Sequence, residues 1–223
     1  MKLKETLKSD LKVLQSLGKQ ERLQFIWDYY KLPILAVATA LVLLVMVLTS
    51  WVGRKDVAMY AVFVNSDASY AQPRPEMLED LLVAAGVDMN GKAIDLTAEL
   101  TLGNNYDSED GQTLQVLAAM FGISGLDVFA AEQETFDRYA TLDAFVDLSL
   151  FLEPELYEKA GCTPYRYTNG EGREILGGLI LSPGSVLHQA GYYHKDVIIG
   201  VAANAQNLEE AVAFVTQLLT ELG

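Results

Sequence analysis

Cysteine is nearly missing from this 223-residue chain. Cys162 stands alone, which excludes a disulfide within one copy and any cysteine-rich metal site. Histidine is scarce as well: His188 and His194 are spaced i, i+6, not the i, i+4 that puts two imidazoles on one helix face. The acidic stretches also lack a calcium-hand spacing. With Gly91 or Gly111 as the turn glycine, the first ligand position falls on Gly86 or Tyr106, neither of which offers a carboxylate. Neither a metal nor a cofactor is expected.

Basic residues are the next shortage. Nine of the 16 Lys and Arg lie in the first 55 residues, leaving seven against 26 acids in residues 56–223, a net charge near −19. Nucleic acid is excluded as a partner, because binding it requires cations that neutralise phosphates. The same charge keeps this part of the chain off an anionic lipid surface. Most of it reads as a solvated acidic face.

Charge itself disappears between Lys31 and Arg54. As a helix, residues 32–53 extend about 33 Å, close to the ~30 Å hydrocarbon layer of a bilayer. Trp27, Tyr29, Tyr30 and Trp51 flank the run where interfacial aromatics gather. A cleaved signal is a poor fit: the leader is long, and neither Ser50 nor Gly53 has a small residue two places before it. Lys12, Lys19, Arg22 and Lys31 precede the run and only Arg54 and Lys55 follow it, so the bias keeps the N-terminus in the cytoplasm.

Three segments are therefore expected. Residues 1–31 form a basic amphipathic cytoplasmic leader, with Leu3, Leu7, Leu11, Leu14 and Leu17 on one stripe. Residues 32–53 are a single-pass transmembrane helix. Residues 56–223 form one extracytoplasmic domain, long enough to bury its own core.

Within that domain, short runs rich in Val and Ile alternate with segments of helical period. Strands are expected near Val57–Val64, Ala93–Leu100, Leu126–Ala130, Ile175–Leu181 and Val197–Ala202, and helices near Pro75–Ala85, Ser108–Phe121, Glu132–Tyr139, Pro154–Ala160 and Leu208–Leu222. Residues 161–172 read as a long connection. Alternation of this kind implies a three-layer α/β domain with a mostly parallel sheet. Ligands of such sheets lie beyond the carboxyl ends of the strands. The candidate binding residues are accordingly Asn65, Ser66, Asp67 and Tyr70 after the first strand, Asn104, Asn105 and Tyr106 after the second, and Glu132 after the third. Asn, Asp and Ser also serve as ordinary turn residues.

Gly125-Leu126-Asp127-Val128-Phe129-Ala130, followed by Glu134, Phe136, Tyr139 and Phe145-Val146-Asp147-Leu148, resembles the extracellular solute-binding proteins of bacterial transporters. That family has a G-x-P-D-V strand, a short helix and a G-x-L-x-D-L segment; Leu126 stands here for its proline and Asp143-Ala144 for its glycine. Residues 197–204 and 207–219 resemble the family's closing strand and helix. The resemblance implies a type 2 periplasmic-binding fold, but only Ser149 to Asp196 separates the two patches, too little for a second lobe. One lobe on a membrane stem is expected, acting as a non-enzymatic binding or accessory module beside a transporter or envelope protein. The alternative is solute capture or sensing by a dimer, for which Ala36 and Ala40 offer a small-residue helix contact; the sequence leaves the oligomeric state open. Catalysis is disfavoured, because Ser182-Pro-Gly-Ser185 near His188 lacks the G-x-S-x-G elbow of an exposed nucleophile.

Overall fold

Helix α1 runs from Lys19 to Val52 with Pro33 inside it. The computed structural model describes residues 18–52, 55–103, 110–122 and 125–223; the leucine stripe of the leader and Gly53 lie outside them. Leu41, Val42, Leu43, Leu44 and Val45 are each more than half exposed. Five successive residues sample every side of a helix, so this apolar surface faces outward all round. Thr39, a polar side chain in this stretch, donates its hydroxyl to the Leu35 carbonyl at 2.9 Å. Among the described residues no helix is long and apolar enough to cross a membrane.

The chain divides into two units, Met1–Arg54 and Lys55–Gly223. The second unit contains β1 (Asp56–Phe63), α2 (Glu76–Ala84), β2 (Lys92–Thr97), α3 (Asp110–Gly122), β3 (Val128–Ala131), α4 (Gln133–Ala140), α5 (Pro154–Lys159), β4 (Thr163–Thr168), β5 (Glu174–Leu181), α6 (Val186–Gln189), β6 (Val197–Val201) and α7 (Leu208–Thr220). Gly86, at φ 85°, closes α2 in the left-handed conformation that glycine adopts without a steric penalty.

One six-stranded sheet runs in the order β2-β1-β3-β6-β5-β4. Period-two alternation explains the layers on either side. From β1, Ala61 and Phe63 face the core formed with Leu78, Leu81 and Leu82 of α2 and Phe214, Val215 and Leu218 of α7. Val62 and Val64 point the other way, toward Leu117 of α3 and Phe136, Tyr139 and Ala140 of α4. Helices thus cover both faces of the sheet.

The expectation of a mostly parallel sheet is wrong. β1 pairs in parallel with β2 and β3, but β3–β6, β6–β5 and β5–β4 are all antiparallel. The alternation behind that expectation holds only through β3. Residues 161–172 are not a connection: they form β4 and the turn into β5, closed by the Asn169 side chain on the amides of Glu171 and Arg173. Between β5 and β6 the only helix is the four-residue α6, and the chain folds back instead of crossing over.

Glycine makes the second core fit. A Cβ at Gly178 would lie 2.9 Å from the tip of Phe136, and one at Gly200 2.8 Å from it. The bare backbone of neighbouring strands β5 and β6 therefore forms a shelf under Phe136, which stacks on Phe145 at 4.1 Å between centroids.

Asp127, fully buried at the entrance of β3, joins four elements. Its carboxylate accepts from Tyr60 N of β1 at 2.8 Å and from Asn207 N and Nδ2, ahead of α7, at 2.8 and 2.9 Å. Its backbone donates to Tyr60 O and accepts from Ala202 N beyond β6, both at 2.9 Å. Asn207 fills the N-cap position of α7 without a side-chain cap bond; its Nδ2 donates to Asp127. Asp127→Ala strands three buried or half-buried N–H groups, at about 1–3 kcal/mol each. The urea midpoint is expected to fall by an amount equivalent to roughly 3 kcal/mol or more, with a smaller loss for Asp127→Asn, which keeps one acceptor oxygen.

Candidate functional site

The carboxyl ends of β1 and β3 lie side by side, and the chain leaves them toward opposite faces of the sheet: α2 packs on one core and α4 on the other. A crevice at such a switch point is where open α/β sheets receive ligands. Here it holds Tyr193. The phenol is buried, and its hydroxyl lies 3.0 Å from Val64 O and 2.9 Å from Ala130 O, at the ends of the two strands. Burial, reinforced by the nearby Glu132 and Asp67 carboxylates, pushes this hydroxyl well above the ordinary tyrosine range.

Two of the expected residues, Asn65 and Ser66, take structural work around this plug. Asn65 adopts φ 55°, a left-handed conformation that asparagine tolerates better than most side chains. Its amide pairs with the Leu102 backbone in both directions, Nδ2 to Leu102 O at 3.0 Å and Leu102 N to Oδ1 at 2.7 Å. Ser66 donates to Ala98 O and accepts from Ala68 N, capping the short turn Asp67–Ser69. These two residues tie the loop after β1 to the chain after β2, leaving little of their polarity for a ligand. Tyr70 is 92% exposed. Asn104, Asn105 and Tyr106 lie outside the described residues.

Asp67 and Glu132 meet residues absent from the sequence-based set. Asp67 Oδ2 lies 2.6 Å from Nδ1 of His194, and Glu132 Oε1 lies 3.9 Å from Nζ of Lys195. His194 and Lys195 follow Tyr193 on the segment leading into β6. That segment reaches the crevice because β6 enters the sheet antiparallel, with its amino end beside the carboxyl ends of β1 and β3. The signal was the run Tyr192-Tyr193-His194-Lys195 just before a strand, and using it required knowing the direction of that strand. Tyr192 packs edge-on against Phe63 at 5.1 Å, and burial with the nearby Glu76 raises its hydroxyl to about 12.

His188 secures the same segment. Its Nε2 lies 2.7 Å from Lys195 O, which can only accept, so Nε2 carries a proton, and the Ser185 hydroxyl lies 2.7 Å from Nδ1. A serine bonded to an oriented imidazole has the connectivity of an activated nucleophile. Ser185, however, is 1% exposed, so a substrate cannot approach its oxygen, and the pair acts as a clamp on the loop.

A second concavity, about 400 Å³, lies between residues 143–150 and the β4–β5 turn. Glu171 pairs with Arg173 at 2.6 Å, and the concavity's other two acids bind backbone amides. Asp143 accepts from Gly170 N at 3.1 Å, and Asp147 accepts from the Ser149 amide and hydroxyl and from Leu176 N. Burial alone would raise the Asp147 carboxyl; the Ser149 and Leu176 bonds and the Arg166 charge outweigh it and hold the group below the usual carboxylate range. Among the described residues, no group of three or more His, Cys, Asp or Glu is placed to hold a metal ion.

Compared with protein-family models, curated proteins and solved structures, the chain finds no match.

The Tyr193 plug predicts a specific alkaline response. Its hydroxyl is raised in the folded state above an ordinary value of 10.0, so its contribution to stability is intact below pH 10 and is lost as pH rises beyond it, where the unfolded chain ionises first. Tyr193→Phe is expected to cost about 1 kcal/mol at pH 7 and to flatten the fall in stability above pH 10, with Tyr165, Tyr167 and Tyr192 supplying the remaining slope. Urea midpoints of both proteins at pH 7 and pH 11 measure this.

Proposed function

We propose that this chain is a membrane-anchored, extracytoplasmic binding or accessory module, related to one lobe of a solute-binding protein, that engages a protein of a transporter or another envelope complex. The observation that carries the reading is Tyr193 in the crevice between β1 and β3. A small ligand is held by burying most of its surface in a concave site, and that volume is occupied by a side chain of the protein itself. What remains around the crevice is a polar surface bearing Tyr70, Asp67–His194 and Glu132–Lys195, suited to contact with another macromolecule. The outward apolar surface of α1 and the internal bond of Thr39 support the anchor, because lipid requires backbone and hydroxyl donors to be satisfied within the helix.

Sidedness and partner class are testable together. Cys162 is buried and burial raises its thiol, so it is a poor reporter, whereas Tyr70 is fully accessible. In a Cys162→Ser background, Tyr70→Cys is expected to react with a membrane-impermeant maleimide on intact cells; labelling only in inverted vesicles would overturn the topology. A photo-crosslinking residue at position 70 or 194 is expected to yield a protein adduct of discrete mass. A small molecule co-purifying at one per chain, with no protein adduct, would overturn the partner reading.

A further inference from the structure

The two edges of the sheet are built differently. β4 carries Pro164, which has no N–H to offer, a feature that keeps an edge from accepting another strand. β2, Lys-Ala-Ile-Asp-Leu-Thr, has no proline, and the register shift in its pairing falls at its start, opposite Val57–Met59 of β1. Its register with β1 advances one residue at a time from Ile94 to Thr97, and among the described residues no strand pairs with its outer side.

A groove of about 550 Å³ lies along that edge. Residues 94–99 line it consecutively, so it follows the strand's margin and does not belong to one face alone. The opposite wall is Pro73, Pro75 and Tyr192, apolar and stiff. Asp95 and Glu99 are its charged groups; both are exposed. Arg74, between the two prolines, turns its guanidinium to Gln189 O instead. The groove is therefore apolar with acidic points, in a domain carrying far more acids than bases.

We infer that the β2 edge docks an extended basic segment of a partner protein, which joins the sheet as a seventh strand. Strand addition takes its affinity from main-chain hydrogen bonds and its specificity from alternate side chains. Apolar residues of the segment would enter between β2 and the Pro73–Pro75 wall, and its cations would face Asp95 and Glu99. A second copy of this chain is a poor occupant, because it brings the same acidic edge and the same net charge. This inference names the partner chemistry of the binding module proposed above and rests on that reading only for the premise that the partner is a protein.

The test uses the full chain in detergent micelles and an end-blocked Val-Lys alternating octapeptide, with a Val-Glu octapeptide as control, followed by hydrogen exchange. At ten times Kd of the Val-Lys peptide, those amides of residues 92–97 that point away from β1 are expected to exchange about tenfold more slowly. Added salt should weaken the effect, and the Val-Glu peptide should produce none. Asp95→Lys combined with Glu99→Lys changes two exposed side chains, so the fold is retained, and is expected to abolish the protection. Equal protection by both peptides, protection elsewhere with β2 unchanged, or no protection at all would each overturn the inference. The labelling and crosslinking at positions 70 and 194 do not involve β2, so failure of this docking edge is distinguishable from failure of the module reading.

Discussion

The domain is organised around a carboxylate with no access to solvent. Asp127 must be satisfied by the protein, since an ion taken from water without partners is costly, and each partner comes from a different place: β1, the residues leaving β6 and the approach to α7. The requirement fixes where α7 begins and holds the β1–β3 parallel pair against the antiparallel β6. Gly125, just upstream, has φ 64° and no room for a Cβ against Gln206, so the turn that delivers Asp127 is equally constrained. Much of the remaining architecture is packing that this junction makes consistent.

The same seam explains the candidate site. β1 and β3 splay their following helices to opposite faces and open a crevice; β6, arriving from the other direction, brings Tyr193 into it. Asp67 with His194, Glu132 with Lys195, and His188 with Lys195 O hold that plug from three elements.

The sequence was legible where periodicity is local. Five of the six strands and the longer helices fall where their Val/Ile runs, apolar spacing and glycine stops place them. β4 escaped because Pro164 and Arg166 break its pattern and its burial is carried by half-buried tyrosines; α6, at four residues, is too short to show a period. Strand direction was not legible at all, because it is set by which neighbour a strand finds and not by its own side chains. That one missing quantity accounts for the parallel-sheet error and for the omission of Tyr193, His194 and Lys195. Asn65 and Ser66 were chosen as binding residues because they follow the first strand; the structure commits their side chains to backbone partners, the other use of those residue types.

β6 sits in the middle of the sheet although it is the last strand of the chain. A polypeptide emerging from its amino end completes β1, β2 and β3 long before β6 exists, and until then the inner edge of β3 has only one neighbour. Loop-closure entropy must be overcome before that long-range pairing contributes stability. Folding of this domain is thus gated by its carboxyl-terminal fifth, and an interrupted chain presents an unpaired central strand to every other chain nearby. Until the short, wholly buried segment Val197–Val201 pairs with β3, that strand's inner edge is open to other strands.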